Sequence, residues 1–181
     1  VEELEHLGRR NEIHRLCLFS LVSSKIDNRC NWICVYYLAI EMILEFKNEY
    51  RFLSNFYHSP IIWQQRTWPT VEHAYQAAKN LDYADAILQL STAARAKAKG
   101  KTLPIRSDWE AIKLSVMAEL VYCKFEQHAD LVELLLQTDG LLKEGNYWHD
   151  NFWGSCFCQK CQDQGLNMLG KLLMIERDFR K

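Results

Sequence analysis

The sequence has no apolar run near the roughly 20 residues a membrane-spanning helix needs. Its longest, around residues 33–40, does not follow a basic N-terminal flank and is a poor secretory leader. An excess of one charge is also missing. The 22 basic and 23 acidic residues leave a net charge of −1, which excludes a global basic field for non-specific nucleic-acid binding and leaves room only for a local groove. There is no disulfide framework to read either: seven cysteines are an odd number and three of them cluster, which suits reduced thiols or a metal. The cytoplasm is the compartment these features lead one to expect. Internal repeats and low-complexity tracts are absent. What remains is a 181-residue chain, 49% hydrophobic and 25% charged, of the composition of a soluble globular protein with one real core.

Residues 1–41 differ from the rest. Glu2, Glu3, Glu5, Arg9 and Arg10 charge their beginning, two apolar patches follow, and Cys17, Cys30 and Cys34 lack metal-ligand spacing. Met42 then opens MILEFKNEYRFLSNFY, which reads as a natural start followed by a strand over 42–46. The expectation is a compact domain over 42–181 with 1–41 as an N-terminal extension outside it; an ordinary helical subdomain is the alternative. A second strand is expected through Ile61, Ile62 and Trp63. Thr70 reads as the N-cap of a helix reaching about Asn80. Further helices are expected over 83–98, after a cap at Ser107 or Asp108, over 130–137, and through Leu169, Leu172 and Leu173.

Chemistry concentrates in four places. Glu72 falls in the first turn of the helix after Pro69, where the unpaired amides and the helix dipole favour a carboxylate; it is expected to be an anion at neutral pH. Tyr75, Gln76 and Lys79 follow at i+3, i+4 and i+7, on the same face, while His73 points elsewhere. A solvated first-turn charge is the plainer reading of Glu72. Arg95, Lys97, Lys99 and Lys101 form a basic run able to meet phosphate, Arg95 above all, or simply a solvated face. In YWHDNFWG, at 147–154, aromatic rings alternate with His149, Asp150 and Asn151, as in a stacking platform or a packed loop; Asp150 is the best second carboxylate to pair with Glu72. Cys156, Cys158 and Cys161 have thiolate-ligand spacing. A tetrahedral zinc needs a fourth donor, for which His149 and Cys123 are the candidates; such a zinc would be structural rather than catalytic. Gly170, inside the last helix, implies close approach of another backbone.

Taken in order, RFLSNFY, WPTVEHAYQAAK, RSDWEAIKLSVM, DNFWG and GLNMLGKLLM resemble the NADAR family of YbiA-like N-glycosidases, over essentially all of 42–181. The resemblance implies a single α+β domain, predominantly helical with a small strand component. It implies hydrolysis of the bond between ribose C1 and a base or amine nitrogen, with no cofactor required for catalysis. Two substrate types go with the family: phosphoribosylaminopyrimidine intermediates of riboflavin biosynthesis, and ADP-ribose on guanine in nucleic acid. The family's polar and aromatic positions match at Asn55, Glu72, Lys79, Arg95, Trp109, Asp150, Trp153 and Asn167. Where many members follow the Trp-Gly pair with a glycine-rich stretch, this chain has Ser155 and the CxCxxC run, as in one subgroup.

On that reading Glu72, with Asp150, stabilises an oxocarbenium-like ribose or activates water. Lys79 or Arg95 neutralises phosphate or the leaving nitrogen. Phe56, Trp109 and Trp153 stack on the base, and Asn55 and Asn167 bind substrate. Two rivals stand beside it: a non-catalytic module that binds ADP-ribose or a nucleotide, and a metal-stabilised interaction domain built on the cysteine loop.

Overall fold

A computed structural model describes residues 42–181; the extension expected over 1–41, with Cys17, Cys30 and Cys34, lies outside the described residues. The strand expected over 42–46 is reduced to a parallel bridge between Ile43 and Leu142. Ile43 and Leu44 exchange backbone bonds with residues 141–145, but Asn48, at φ 50°, turns the chain into a 3₁₀ segment, Asn48–Leu53, that buries Phe52 and Leu53.

Strand β1 (Ile61–Trp63) pairs antiparallel with β2 (Arg66–Trp68), Ile61 facing Trp68. The turn holds Gln64 and Gln65 at φ 48° and 60°, the left-handed pair of a two-residue hairpin. Glutamine carries none of the Asn-Gly signature, which is why pattern alone reveals β1 but not its partner.

Helix α1 (Val71–Ala78) begins at Thr70, whose side chain accepts the His73 amide as an N-cap should. Every residue of α1 is buried, because the helix packs against its neighbours on several sides rather than facing water. The single helix expected over 83–98 is two, α2 (Ala84–Leu88) and α3 (Ala93–Gly100). At the break Thr92 accepts the Arg95 amide and His73 Nε2 donates to the Leu90 carbonyl at 3.0 Å, so its backbone groups find local partners and the chain can turn.

Helix α4 (Trp109–Glu126) buries Met117, Leu120, Val121 and Phe125 and packs against α1, β1, α5 (Ala129–Leu136) and α6 (Met168–Phe179). Asp108 precedes α4 but does not cap it with its side chain; Arg106 holds the carboxylate by two bonds of 2.6 and 2.9 Å, stronger than one backbone donor would be. Between α5 and α6 the chain forms two short parallel strands, β3 (Gly145–Asn146) and β4 (Ser155–Cys156).

Asn167 starts α6 in the left-handed conformation, φ 49°. Its amide does not cap the helix; it donates to the Leu142 carbonyl at 2.8 Å and accepts the Glu144 amide at 3.0 Å. A Cβ on Gly170 would lie 2.1 Å from the Leu142 carbonyl oxygen, which is the close backbone approach expected there. The domain is α+β, mostly helical, with two two-stranded sheets among the described residues. None of the helices described is long and apolar enough to cross a membrane.

Candidate active site

Five segments meet around a cavity of about 240 Å³. Helix α1 contributes Glu72, Tyr75, Gln76 and Lys79, the face that helical spacing assigned to it. The turn after the 3₁₀ segment contributes Asn55 and Phe56, and α3 contributes Lys97. Trp109, Glu110, Lys113 and Met117 come from the first turns of α4, and Glu144, Asp150 and Trp153 from the loop around β3.

Glu72 is not the solvated anion its helix position implies. It is 5% exposed, and burial pushes its carboxyl above the ordinary range. The counterweights are a 2.7 Å bond from Gln76 Nε2 to Oε1 and the charges of Lys97 and Lys79, with Asp150 opposing them. Desolvation outweighs the helix terminus because a buried charge loses its water, whereas the dipole returns only a fraction of that. Burial likewise draws Lys79 below the usual lysine range, with Glu72 pulling it back up and Lys97 and Lys101 pushing it down.

The Glu72 amide donates to the Asn55 carbonyl at 3.0 Å, which ties the turn to the start of α1. Asn55 is 7% exposed. Its Nδ2 rests on the Met117 sulfur at 3.3 Å, and its Oδ1 has no hydrogen-bond partner among the described residues. Asn55 lines the cavity, and a buried acceptor without a partner is rare enough to call for one. Tyr75 packs tilted against Trp109 and edge-on against Trp153, at ring-centre distances of 5.1 and 5.5 Å, and Lys97 stands 5.6 Å from the Phe56 ring centre.

Glu144 was not among the residues singled out from sequence. Burial, reinforced by Asp150 and Glu72 and opposed by Lys97, raises its carboxyl to about 7. It lies in a loop without periodicity, so nothing in the local pattern marks it. Lys97 had a readable signal: in α3 the buried positions are Ala93, Ala96 and Gly100, and Lys97 falls beside that stripe. Asp150 is held by its backbone and its carboxylate: Asn146 bonds its N–H and C=O, and its Oδ1 accepts the Trp153 amide at 2.9 Å.

Two expected substrate contacts are elsewhere. Arg95 is exposed and its guanidinium donates to Ser91 Oγ at 2.8 Å; it does not line the cavity. Asn167 also stays outside the lining, stapling the Glu144 backbone instead. His73 is turned to Thr70 and Leu90, away from the cavity, as expected.

Beyond Asp150, His149 gathers with Cys156, Cys158 and Cys161, their donor atoms all within 4.8 Å of one another. These four are able to hold a metal ion. Cys123, the other nominee, is on α4 and is not in this group.

Comparison with known proteins agrees with this architecture. The NADAR domain model matches residues 44–179. An N-glycosidase of Nostoc punctiforme is 40% identical over 136 residues, covering 71% of this chain and 85% of that protein. N-glycosidase YbiA of Escherichia coli is 38% identical over 135 residues, 72% of this chain and 82% of that protein. A chloroplastic riboflavin biosynthesis protein of Zea mays, PYRR, is 37% identical over 122 residues, which are 60% of this chain and 19% of that longer protein. The NMR structure of E. coli YbiA superposes with a TM-score of 0.66 at 34% identity, covering 81% of this chain and 89% of that one. A family model spanning most of the chain, relatives of this closeness and the same fold together place the protein in the NADAR domain family.

Proposed function

We propose that this cavity hydrolyses the bond between ribose C1 and a base or amine nitrogen. The observation that carries the reading is the convergence of Glu72, Glu144 and Asp150 with Lys79 and Lys97 beside the Tyr75, Trp109 and Trp153 rings. Breaking a C1–N bond sends its electron pair to nitrogen and leaves positive charge on the ribose. The nitrogen must take up a proton, and the water that adds at C1 must give one up. Glu144, raised to about 7, suits proton transfer at neutral pH. Glu72 and Asp150 are suited to face the cationic sugar, Glu72 being tempered by the Gln76 bond. Lys79 and Lys97 suit phosphate oxygens, the aromatic rings suit a flat base, and the unpartnered Asn55 Oδ1 suits a sugar hydroxyl. No cofactor acts at the reacting centre in this reading.

The candidate substrates are a phosphoribosylaminopyrimidine of riboflavin biosynthesis and an ADP-ribosylated guanine. A cavity of about 240 Å³ is below the roughly 300–1,000 Å³ of drug-sized sites, which favours a ribosyl phosphate as the enclosed part of either. Kinship with the maize riboflavin biosynthesis protein supports the smaller substrate.

The test offers both substrates to the protein and to Glu72→Gln and follows free base and released sugar by mass spectrometry. Release that falls by orders of magnitude in the variant, with the fold intact, is the expected result and identifies the substrate. Near-normal release in the variant removes Glu72 from the chemistry. No release from either substrate, with ADP-ribose still bound, replaces the reading with a binding module.

A further inference from the structure

We propose that His149, Cys156, Cys158 and Cys161 form a closed zinc site that pins the Asp150–Trp153 wall of the cavity. The geometry is the first argument. His149 Nδ1 stands 3.9, 3.5 and 3.3 Å from the sulfurs of Cys156, Cys158 and Cys161. A tetrahedron with Zn–S bonds of about 2.3 Å and a Zn–N bond of about 2.05 Å has an N-to-S edge of about 3.6 Å. The three observed separations straddle that edge.

Chemistry is the second argument. All three cysteines are free thiols. Gathered this closely as thiols they offer one another only weak hydrogen bonds, and as thiolates they would repel without a cation between them. Three soft sulfurs and one imidazole select zinc among the divalent ions a cell supplies in quantity. Four protein donors leave no open position, so the site is structural, and it is separate from the reacting centre proposed above.

The surroundings supply the outer partners such a site uses. Asn151 Nδ2 donates to the Cys161 sulfur at 3.3 Å and the Cys161 amide donates to the Cys158 sulfur at 3.4 Å, which orients both sulfurs and eases their charge. His149 adopts φ 67°, a left-handed conformation that a non-glycine residue keeps only when something beyond the local chain holds it.

The link to the cavity is covalent. His149, a ligand, and Asn151, which bonds a ligand, flank Asp150 on both sides. Asp150 in turn accepts the Trp153 amide, and both residues line the cavity. Fixing His149 and the Cys161 sulfur therefore fixes the short segment that carries this wall.

The test begins with the full chain purified under reducing conditions. Elemental analysis is expected to find one zinc per chain. The Cys158→Ser/Cys161→Ser double variant is expected to lose it, while Cys123→Ser keeps it. Because the double variant can fail to fold, the wild-type chain is also stripped with a chelator and titrated with cobalt(II). Saturation at one equivalent, with the visible bands of tetrahedral thiolate coordination, is the expected outcome. Hydrogen exchange at the amides of Asp150 and Trp153 should quicken on stripping and slow again when zinc returns. Reduced, folded protein with neither zinc nor a cobalt spectrum overturns the site, as does iron at full occupancy or a Cys158–Cys161 disulfide in protein never exposed to oxidant. Bound zinc with unchanged exchange at Asp150 and Trp153 overturns the positioning role.

Discussion

Gln76 Nε2 donates to Glu72 Oε1 at 2.7 Å, one helical turn away. After burial, this bond is the largest influence on the Glu72 carboxyl, and it acts to keep it ionised. The amide is pressed from behind: a Cβ on Gly100 would lie 1.9 Å from Gln76 Oε1. Gln76→Leu removes the donor and lets burial raise Glu72 further. The acidic limb of the kcat/KM–pH profile should move to higher pH. A hydrogen bond to a charged group contributes about 1.5–3 kcal/mol, so the limb should move by about one to two pH units, and turnover on its acidic side should fall about ten- to a hundredfold. An acidic limb that stays in place assigns it to another group.

Glu144 should set the opposite limb. With its carboxyl raised to about 7, the protonated form is depleted as pH climbs through neutrality. If it donates the proton to the leaving nitrogen, kcat/KM falls above about pH 7 in the wild type. Glu144→Gln should lose about a hundredfold in rate and show no alkaline limb. Equal rates across that range in both proteins would assign Glu144 to packing.

Lys97 and Arg95 separate cavity from surface on one short helix. Lys97 lines the cavity, whereas Arg95 is bonded to Ser91 outside it. Loss of one charge-assisted phosphate contact is about 1.5–3 kcal/mol, or about tenfold and more in affinity. Lys97→Ala should therefore raise KM for a phosphate-bearing substrate by about that factor, and Arg95→Ala should leave it unchanged. Steady-state kinetics on the two variants checks the contrast; the reverse result would return the phosphate to Arg95.

These contrasts also mark where the sequence was legible. The Glu72, Tyr75, Gln76 and Lys79 face followed from helical spacing, and the Thr70 cap from its chemistry, because both are local regularities. Glu72's burial was not local: it depends on Asn55, Lys97 and the loop closing over α1. Glu144 reaches the cavity through tertiary contacts, including the Asn167 amide 23 residues further on. That same bond turns the Asn167 amide to the Glu144 backbone and leaves it outside the cavity lining, which motif matching does not reveal. Hairpin β1–β2 escaped because Gln64 and Gln65 adopt left-handed angles that nothing in glutamine announces.

Two desolvated groups, the half-buried Glu144 and the buried Lys124, should shape stability against pH in opposite senses. Glu144 has its carboxyl raised from 4.5 to about 7 in the folded chain. Between those values the folded state holds the proton that the unfolded state releases, so the contribution is full below pH 4.5 and is lost as pH rises to about 7. Lys124, 1% exposed, donates to the carbonyls of Phe52 and Ser54, and burial lowers its amine from 10.5 to about 7. There the unfolded state holds the extra proton, so stability recovers as pH rises from about 7 towards 10.5. The pair should give a minimum near neutrality, with a lower limb on the order of 3 kcal/mol and an upper limb on the order of 5 kcal/mol. Urea unfolding across this range should show the lower limb flattened in Glu144→Gln and the upper limb flattened in Lys124→Met. Limbs unchanged in those variants would assign the pH dependence elsewhere.

Gly170 poses a choice between helix propensity and packing. Inside a helix, alanine is favoured over glycine by about 1 kcal/mol. Yet the added Cβ would meet the Leu142 carbonyl oxygen at 2.1 Å and the Asn167 amide at 2.5 and 2.6 Å. A carbonyl cannot rotate out of the way as a surface side chain can, and overpacking of this kind costs about 1–3 kcal/mol. Packing therefore wins. Gly170→Ala should lower stability by about that amount in denaturant titration, and by displacing Asn167 it should loosen the Glu144 amide that Asn167 holds. Rate loss exceeding that of a surface Gly→Ala control, measured well below the unfolding midpoint, would trace the effect to Glu144. A variant as stable as the wild type would mean that α6 can move away from residue 142 at no cost.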